Sequence, residues 1–449
     1  MEEDRYITLE TGLGSIKGLR TAEGREFLGV RFARAGRFEY AKPVTGWEGV
    51  YDATQIGPAC PQIREFHAHL ENPERMFYQR EFREGIDFVY DEDCLNLNIY
   101  TPAEAEGCPV IIFIHGGGFD SGCNCQQPFN GSEYSKKGVV TVFINYRVGV
   151  LGYLTNSAIQ ERFGLDGNFG LDDQLLAIKW VKEHIADFGG DPENITLLGQ
   201  SAGAISIQYL CLMQENKGLF QRAAMMSGGG MFPKFALPKK AEDTHEYWDG
   251  YMKAAGCSSL EELKKLGKKE LMDALEAYKK TRKDNMYNTM PVVDGCLLKA
   301  PVDTLIDHPL DLDYMIGYTN TDMYAPVMGW IGNKFGKKND AYIYFFDIDS
   351  PGDNNGAFHS SDLRYMFGRL AESWRPYGER DYEVSAQLMG YMAGFARTGD
   401  PNGPGLPKWQ PCSGGKRRVL CFKPSGTAMG GTPYLRMTRN MLTKGDPKA

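Results

Sequence analysis

The sequence predicts an α/β chain: a mostly parallel central sheet covered by helices, with antiparallel hairpins at its N-terminal end. Three observations carry that expectation. "PVIIFIHGGGF" and "GVVTVFINYR" contain continuous apolar runs rich in Val, Ile and Phe, the pattern of strands buried on both faces. Segments of helical period lie between such runs, and strand–helix–strand alternation implies parallel pairing. The opening stretch, "YITLETGLGSIKGLRTAEGREFLGVRFA", instead alternates in short runs broken by glycine, as hairpins do.

The elements follow in order. In "LDDQLLAIKWVKEHIADFGGD", Leu171, Leu175, Ile178, Val181, Ile185 and Phe188 recur at helical spacing, and Gly189 supplies the stop. "NITLLGQSAGAISIQYLCL" reads as strand Ile195–Leu198, a turn, and a helix from Ala204 to Leu212; "RAAMMSGGG" is a further buried strand. Residues 234–285 are rich in Lys and Glu and helical in pattern, with Ser259 and Glu262 at capping-box spacing. The sheet resumes at "YMIGYT" and "YIYFFDI", and a helix follows at "EVSAQLMGYMAGFART". No internal repeat or linker interrupts the chain. The expectation is one domain over residues 1–449, with a helical cap excursion at 231–290.

The totals exclude several classes. A net charge of −8 over 449 residues argues against nucleic acid, which needs a basic face. No apolar run approaches the roughly 18–20 residues of a membrane-spanning helix. The acidic start "MEEDRY" lacks the basic region and apolar core of a signal peptide, so a cytoplasmic protein is expected. Its ten cysteines then read as reduced thiols; in a secreted protein Cys60 and Cys94 would be candidates to pair. Cys123 and Cys125 lack the partners a zinc site requires, and no metal or cofactor is expected.

Chemistry enters at "GQSAG". With 53 glycines and 17 serines, chance alone yields G-x-S-x-G roughly 0.2 times in such a chain, so context decides. Here an apolar strand precedes Ser201 and a helix follows, the setting of a nucleophile elbow. Bulk at Gly199 or Gly203 would collide with the turn, and the helix N-terminus would face a developing oxyanion. "IHGGGF" places three glycines directly after another strand, offering unobstructed N–H groups. The expected oxyanion donors are Gly117, Gly118 and Ala202.

A serine nucleophile needs an imidazole. Of the seven histidines, only His245, His308 and His359 lie downstream of Ser201, where the order Ser–acid–His puts the base. His245 falls in a charged helix and is expected to be solvated; His308 sits in a turn. His359, in the loop after "YIYFFDI", stands at a strand's C-terminal end, where open α/β sheets build their sites. For the acid, Asp322 lies just beyond the run Tyr314–Thr319, whereas Asp294 precedes a glycine and suits a turn. Asp322 is preferred.

These motifs converge with a set spread along the chain: "ACPQ", "EDCLNLNIY", "NYRVGVLGYL", "GNFGLDDQLLAIKWVKEHIADFGGDPENITLLGQSAGA", "GAFHSSDLRYMFG" and "FARTGDPNGPGLPKWQ". Together they resemble the type B carboxylesterases, the branch of the α/β-hydrolase fold that includes cholinesterases and bacterial p-nitrobenzyl-type esterases. The resemblance implies that Ser201 forms an acyl-enzyme, that His359 is base and acid, and that Asp322 orients it. It also implies structural ion pairs, Arg37 with Glu92 and Arg147 with Asp173.

Three departures stand out. Asp322 replaces the family's usual Glu and is one methylene shorter. Neutral Gln200 stands where many relatives carry Glu. His359 follows Asp322 by 37 positions, less than usual, which implies a trimmed lid and an open mouth. The expected activity is hydrolysis of neutral, apolar carboxylic esters; Met323, Tyr324, Met328 and Trp330 line either an acyl pocket or the core. A same-fold lactonase, thioesterase or amidase, or a non-catalytic binding relative, remains the alternative, because fold does not fix substrate.

Overall fold

Alternation along buried strands explains why the apolar runs are continuous. In Cys108–Ile114, Val110, Ile112 and Ile114 join one hydrophobic core while Ile111 and Phe113 join another. In Val140–Ile144, Val142 and Ile144 take the first side and Phe143 the second. Side chains of a strand point alternately to opposite faces, so a sheet covered on both needs apolar residues at every position. The computed structural model describes residues 5–66, 76–229, 237–282, 288–322, 341–412 and 418–430.

Among the described residues thirteen strands form the main sheet, twelve of them in one continuous path. These twelve begin with β1 (Tyr6–Thr11), β2 (Gly14–Arg20), β3 (Arg25–Arg31), β4 (Asn96–Thr101), β5 (Cys108–Ile114) and β6 (Val140–Ile144). Then follow β7 (Gly190–Gln200), β8 (Arg222–Met226), β9 (Asp313–Thr319), β10 (Ala341–Phe346), β11 (Val419–Lys423) and β12 (Gly426–Gly430). Their spatial order is β1-β2-β3-β4-β6-β5-β7-β8-β9-β10-β11-β12, with short Val50–Asp52 alongside β2. Pairing is parallel from β6 through β11 and antiparallel from β1 to β6 and between β11 and β12. This is the expected mostly parallel sheet with hairpins at one end.

Helix Phe169–His184 lays Leu171, Leu175, Ile178 and Val181 into the first core. A short 3₁₀ turn adds Ile185 and Phe188, and Gly189 closes it at φ 85°. On the opposite face, helix Glu379–Thr398 contributes Val384, Leu388, Met392 and Phe395 to the second core. Arg147 and Asp173, buried together, form the expected ion pair through two contacts of 2.7 and 2.8 Å. Arg37 pairs with Glu92 at 2.9 Å.

Between β8 and β9, helices Glu242–Ala254 and Lys268–Thr281 pack through Tyr247, Trp248, Tyr251, Leu271 and Leu275. Ser259 caps the turn Leu260–Leu263 by accepting the N–H of Glu262, but the Glu262 carboxylate bonds back to Ser258 instead of Ser259. His245 departs from expectation: it is bound to Asp166 and largely buried, because its helix lies against the body of the protein. Lys268 reaches Glu65 and Lys279 reaches Asp120, each at 2.8 Å, tying this layer to the loops that carry the site.

Candidate active site

Ser201 sits between β7 and helix Ala202–Leu212, which begins two residues earlier than the sequence pattern suggested. Its backbone stands at φ 55°, ψ −123°, a conformation costly for a residue with a side chain. Two contacts hold it there: its N–H donates to the Met226 carbonyl at 2.9 Å, and its carbonyl accepts the Ile205 N–H at 3.0 Å. The turn is as tight as the glycine pattern implied. A Cβ on Gly203 would lie 2.0 Å from the Ile114 carbonyl oxygen, so the helix start abuts the end of β5 directly.

That approach brings the glycine loop to the serine, where a Cβ on Gly116 would stand 2.8 Å from Cβ of Ser201. Gly117 and Gly118 adopt φ 120° and 64°, which turns the backbone away from the strand direction. Ala202, first residue of its helix, has no carbonyl one turn back to take its N–H. His115, just before this loop, is buried, and desolvation pushes its pKa down to about 4; it is a neutral ring stacked on Tyr146.

The loops after β9 and β10 are laced together: Thr321 donates its N–H and its hydroxyl to the Ala357 carbonyl, at 3.3 and 2.8 Å. Asp322 and His359 meet as a result. Nδ1 of His359 lies 3.4 Å from Oδ2 of Asp322, whose side chain is fully buried while the imidazole is 31% exposed. The shorter aspartate therefore reaches, though the separation is long for a hydrogen bond and acts first as a charge contact. Burial lowers the basicity of His359. The charge and bonding of Asp322, aided by Asp362, outweigh that loss and leave its pKa above the ordinary imidazole value.

At the other ring nitrogen, Nε2, stands the Gln200 side-chain amide, 3.3 Å away. With the amide donating, Nε2 holds a lone pair and Nδ1 carries the hydrogen toward Asp322. That is the tautomer a general base needs. Asp294 lies elsewhere: its carboxylate accepts the N–H groups of Cys296 and Leu298, each at 3.0 Å, in a turn. His308 is exposed. Met323, Tyr324, Met328 and Trp330 lie outside the described residues.

Two features had no reading in the sequence. Asp362, buried three residues after His359, receives the Tyr344 hydroxyl at 2.8 Å, and desolvation together with Asp322 pushes its pKa up to about 6. The second is the cavity in front of Ser201, about 390 Å³. One wall is the serine, the glycine loop and His359; the other is Arg64, Tyr78, Gln79, Phe82 and Arg83, from helices Ile63–Phe66 and Met76–Phe82 and the residue after them. Glu81 ties this second wall to the segment that follows His359, bonding Arg364 at 2.9 Å and also Arg375, all three buried. Among the described residues five that are not glycine have positive φ, and two of them, Ser201 and Ser360, line the cavity.

Over residues 4–340 and 323–441 the sequence matches the family model described as "Carboxylesterase family". The chain belongs to the carboxylesterase family. It is thus a serine-type carboxylic-ester hydrolase on an α/β-hydrolase fold. The para-nitrobenzyl esterase of Bacillus subtilis (strain 168) is 32% identical over 394 residues, spanning 84% of this chain and 72% of its own. A bile salt-activated lipase of Rattus norvegicus is 29% identical over 478 residues, spanning 84% and 73%. Among solved structures, a thermophilic PNB esterase superposes with a TM-score of 0.81 at 25% identity, covering 97% of this chain and 99% of that one. All ten cysteines are free thiols, with Cys60 and Cys94 unbridged. Among the described residues no helix is long and apolar enough to cross a membrane, and no cluster of three or more His, Cys, Asp or Glu is arranged to hold a metal ion.

Proposed function

We propose that this carboxylesterase works through Ser201, His359 and Asp322, with the oxyanion held by the N–H groups of Gly117, Gly118 and Ala202. The observation that carries the reading is Ser201 at positive φ, pressed against the glycine loop, with a His359–Asp322 pair at the same sheet edge. Ser201 Oγ attacks the ester carbonyl carbon while Nε2 of His359 takes its proton. The carbonyl oxygen gains negative charge against the three N–H groups. The tetrahedral adduct collapses, and the alcohol leaves with the proton from His359. Water, deprotonated by the same imidazole, then releases the acid and restores the serine. No step calls for a metal or cofactor.

Gln200 has a part in the resting state. Its amide lies 3.3 Å from Nε2, the nitrogen that takes the serine proton, and favours the tautomer with a lone pair there. The site accepts neutral esters with an apolar portion. Phe82, Phe129 and Leu363 line the cavity, and no carboxylate is among its described lining residues, so cationic choline esters gain nothing there. The free thiols fit a reducing, cytoplasmic location. The whole chain is read as one domain, with 231–290 an excursion from it.

Burst kinetics on p-nitrophenyl esters from acetate to octanoate test the assignment. An initial burst is expected from the wild type and none from Ser201→Ala, with kcat lower by on the order of 10⁴ or more. Retention of most activity in that variant would overturn it. A clear preference for a choline ester over a neutral ester of equal length would overturn the substrate reading alone.

A further inference from the structure

Arg83 lines the cavity that Ser201 opens into. Its guanidinium lies over the Phe88 ring, 4.5 Å from the centroid, and donates one hydrogen bond of 2.6 Å to the neutral Tyr90 hydroxyl. A guanidinium carries five N–H donors in a planar fork. Among the described residues, no carboxylate lies within ion-pair distance of it. Glu65, whose charge also reaches Tyr90, is held by Lys268 at 2.8 Å, and neighbouring Glu84 faces Arg80 at 3.5 Å.

Arg64 stands on the same wall. The charges of Arg83 and Arg64 both reach the buried Cys123 thiol, so the two cations lie on one side of the cavity. Gln79 and Gln126 add amides to the lining. In a protein of net charge −8, this is a local concentration of positive charge facing bound substrate. Stacking on Phe88 and the bond to Tyr90 fix the fork in advance, and the Glu81–Arg364 contact anchors the wall that carries it. A preorganised planar fork without a counter-ion matches a carboxylate, which it can take bidentately.

We propose that the preferred substrates are esters bearing a carboxylate away from the scissile bond, bound by Arg83 with Arg64 beside it. The inference rests on the Ser201 ester-hydrolase reading and deepens it. Neutral esters react without using the fork, and carboxylate-bearing ones engage it. The carboxylate can belong to the acyl half, as in a half-ester of a dicarboxylic acid, or to the alcohol half.

Two matched pairs test both sources: 4-nitrophenyl hydrogen glutarate against 4-nitrophenyl pentanoate, and 4-acetoxybenzoate against its methyl ester. Each kcat/KM is divided by that ester's rate with hydroxide, at a pH where His359 is neutral. The expected result is a preference for the anionic member in at least one pair, on the order of tenfold and residing in KM. The preference shrinks as salt is raised. It collapses toward unity in Arg83→Gln and survives in part in Arg83→Lys, which keeps the charge and loses the fork. The wild-type salt dependence needs no variant to fold. Preference for the neutral member in both pairs, or a preference that persists in Arg83→Gln, overturns the proposal. If the wild type cleaves neutral esters through Ser201 and shows no anionic preference, the inference falls and the esterase reading stands. If no ester is cleaved in a Ser201-dependent way, both fall.

Discussion

The two walls of the cavity are built on different principles. The reacting wall is mostly backbone. Ser201, Gly117, Gly118 and Ala202 stand at the ends of β5 and β7, held by close approach of main chain to main chain. The facing wall is mostly side chain, presented by two short helices whose cavity-lining members Arg64, Tyr78, Gln79 and Phe82 are half-buried. A strand end leaves little room for variation, since one methyl group at Gly203 would meet a carbonyl oxygen at 2.0 Å. A half-buried Arg or Gln can be exchanged without disturbing the sheet. On the proposed reading, the chemistry is fixed where the chain cannot move, and selectivity is written where it can.

Variants on the first wall should break that contrast hardest. Ser201→Ala, described above, is expected to have the largest effect on turnover. Asp322→Asn comes next: the imidazole loses the charge that orients it, and kcat should fall on the order of 10³ to 10⁴. Circular dichroism should still report a folded protein. Activity close to wild type would mean that Asp362, not Asp322, supports His359. Where the walls join, Glu81→Gln leaves Arg364 and Arg375 without their buried anion and should cost about 3 kcal/mol, read from urea melts. No change in stability would show that the walls hold together without this contact.

The smallest effects sharpen the comparison through pH. His359 must be neutral to act as base, and its pKa is raised, so kcat/KM should climb with pH through a midpoint above the free imidazole value of about 6.5. Protonation at lower pH removes the lone pair and the activity with it. Gln200→Glu places a negative charge beside Nε2, stabilises the protonated ring, and should move the midpoint further up. A pH–rate profile unchanged by that variant would show that the amide contact seen at rest is absent from the working enzyme.

What could be read in advance follows the same division. Parallel strands announce themselves because burial on both faces demands unbroken apolar runs, as at β5 and β6. The tight turn at Ser201 is legible because steric exclusion around it leaves a pattern of glycines, and the position of His359 near Asp322 because strand order limits which loops can meet. Side-chain partnerships across the fold left no such trace. His245 looked solvated from its charged helix, yet Asp166, 79 residues away in sequence, binds it. Asp362 has no mark in the sequence, because its bond to Tyr344 brings together a strand and a loop that lie apart in the chain. Arg83 is invisible as a cavity residue without the topology that turns its helix toward Ser201.

The positive-φ residues around the cavity have a consequence for how such a protein ages under mutation. Glycine tolerates those dihedrals where serine does not, so Ser201→Gly should relieve backbone strain of about 1–2 kcal/mol while abolishing catalysis. Inactivation is then thermodynamically downhill at this position. Lineages freed from selection for hydrolysis would drift toward more durable, inert scaffolds, and persistence of the strained serine is a mark that turnover is still being selected.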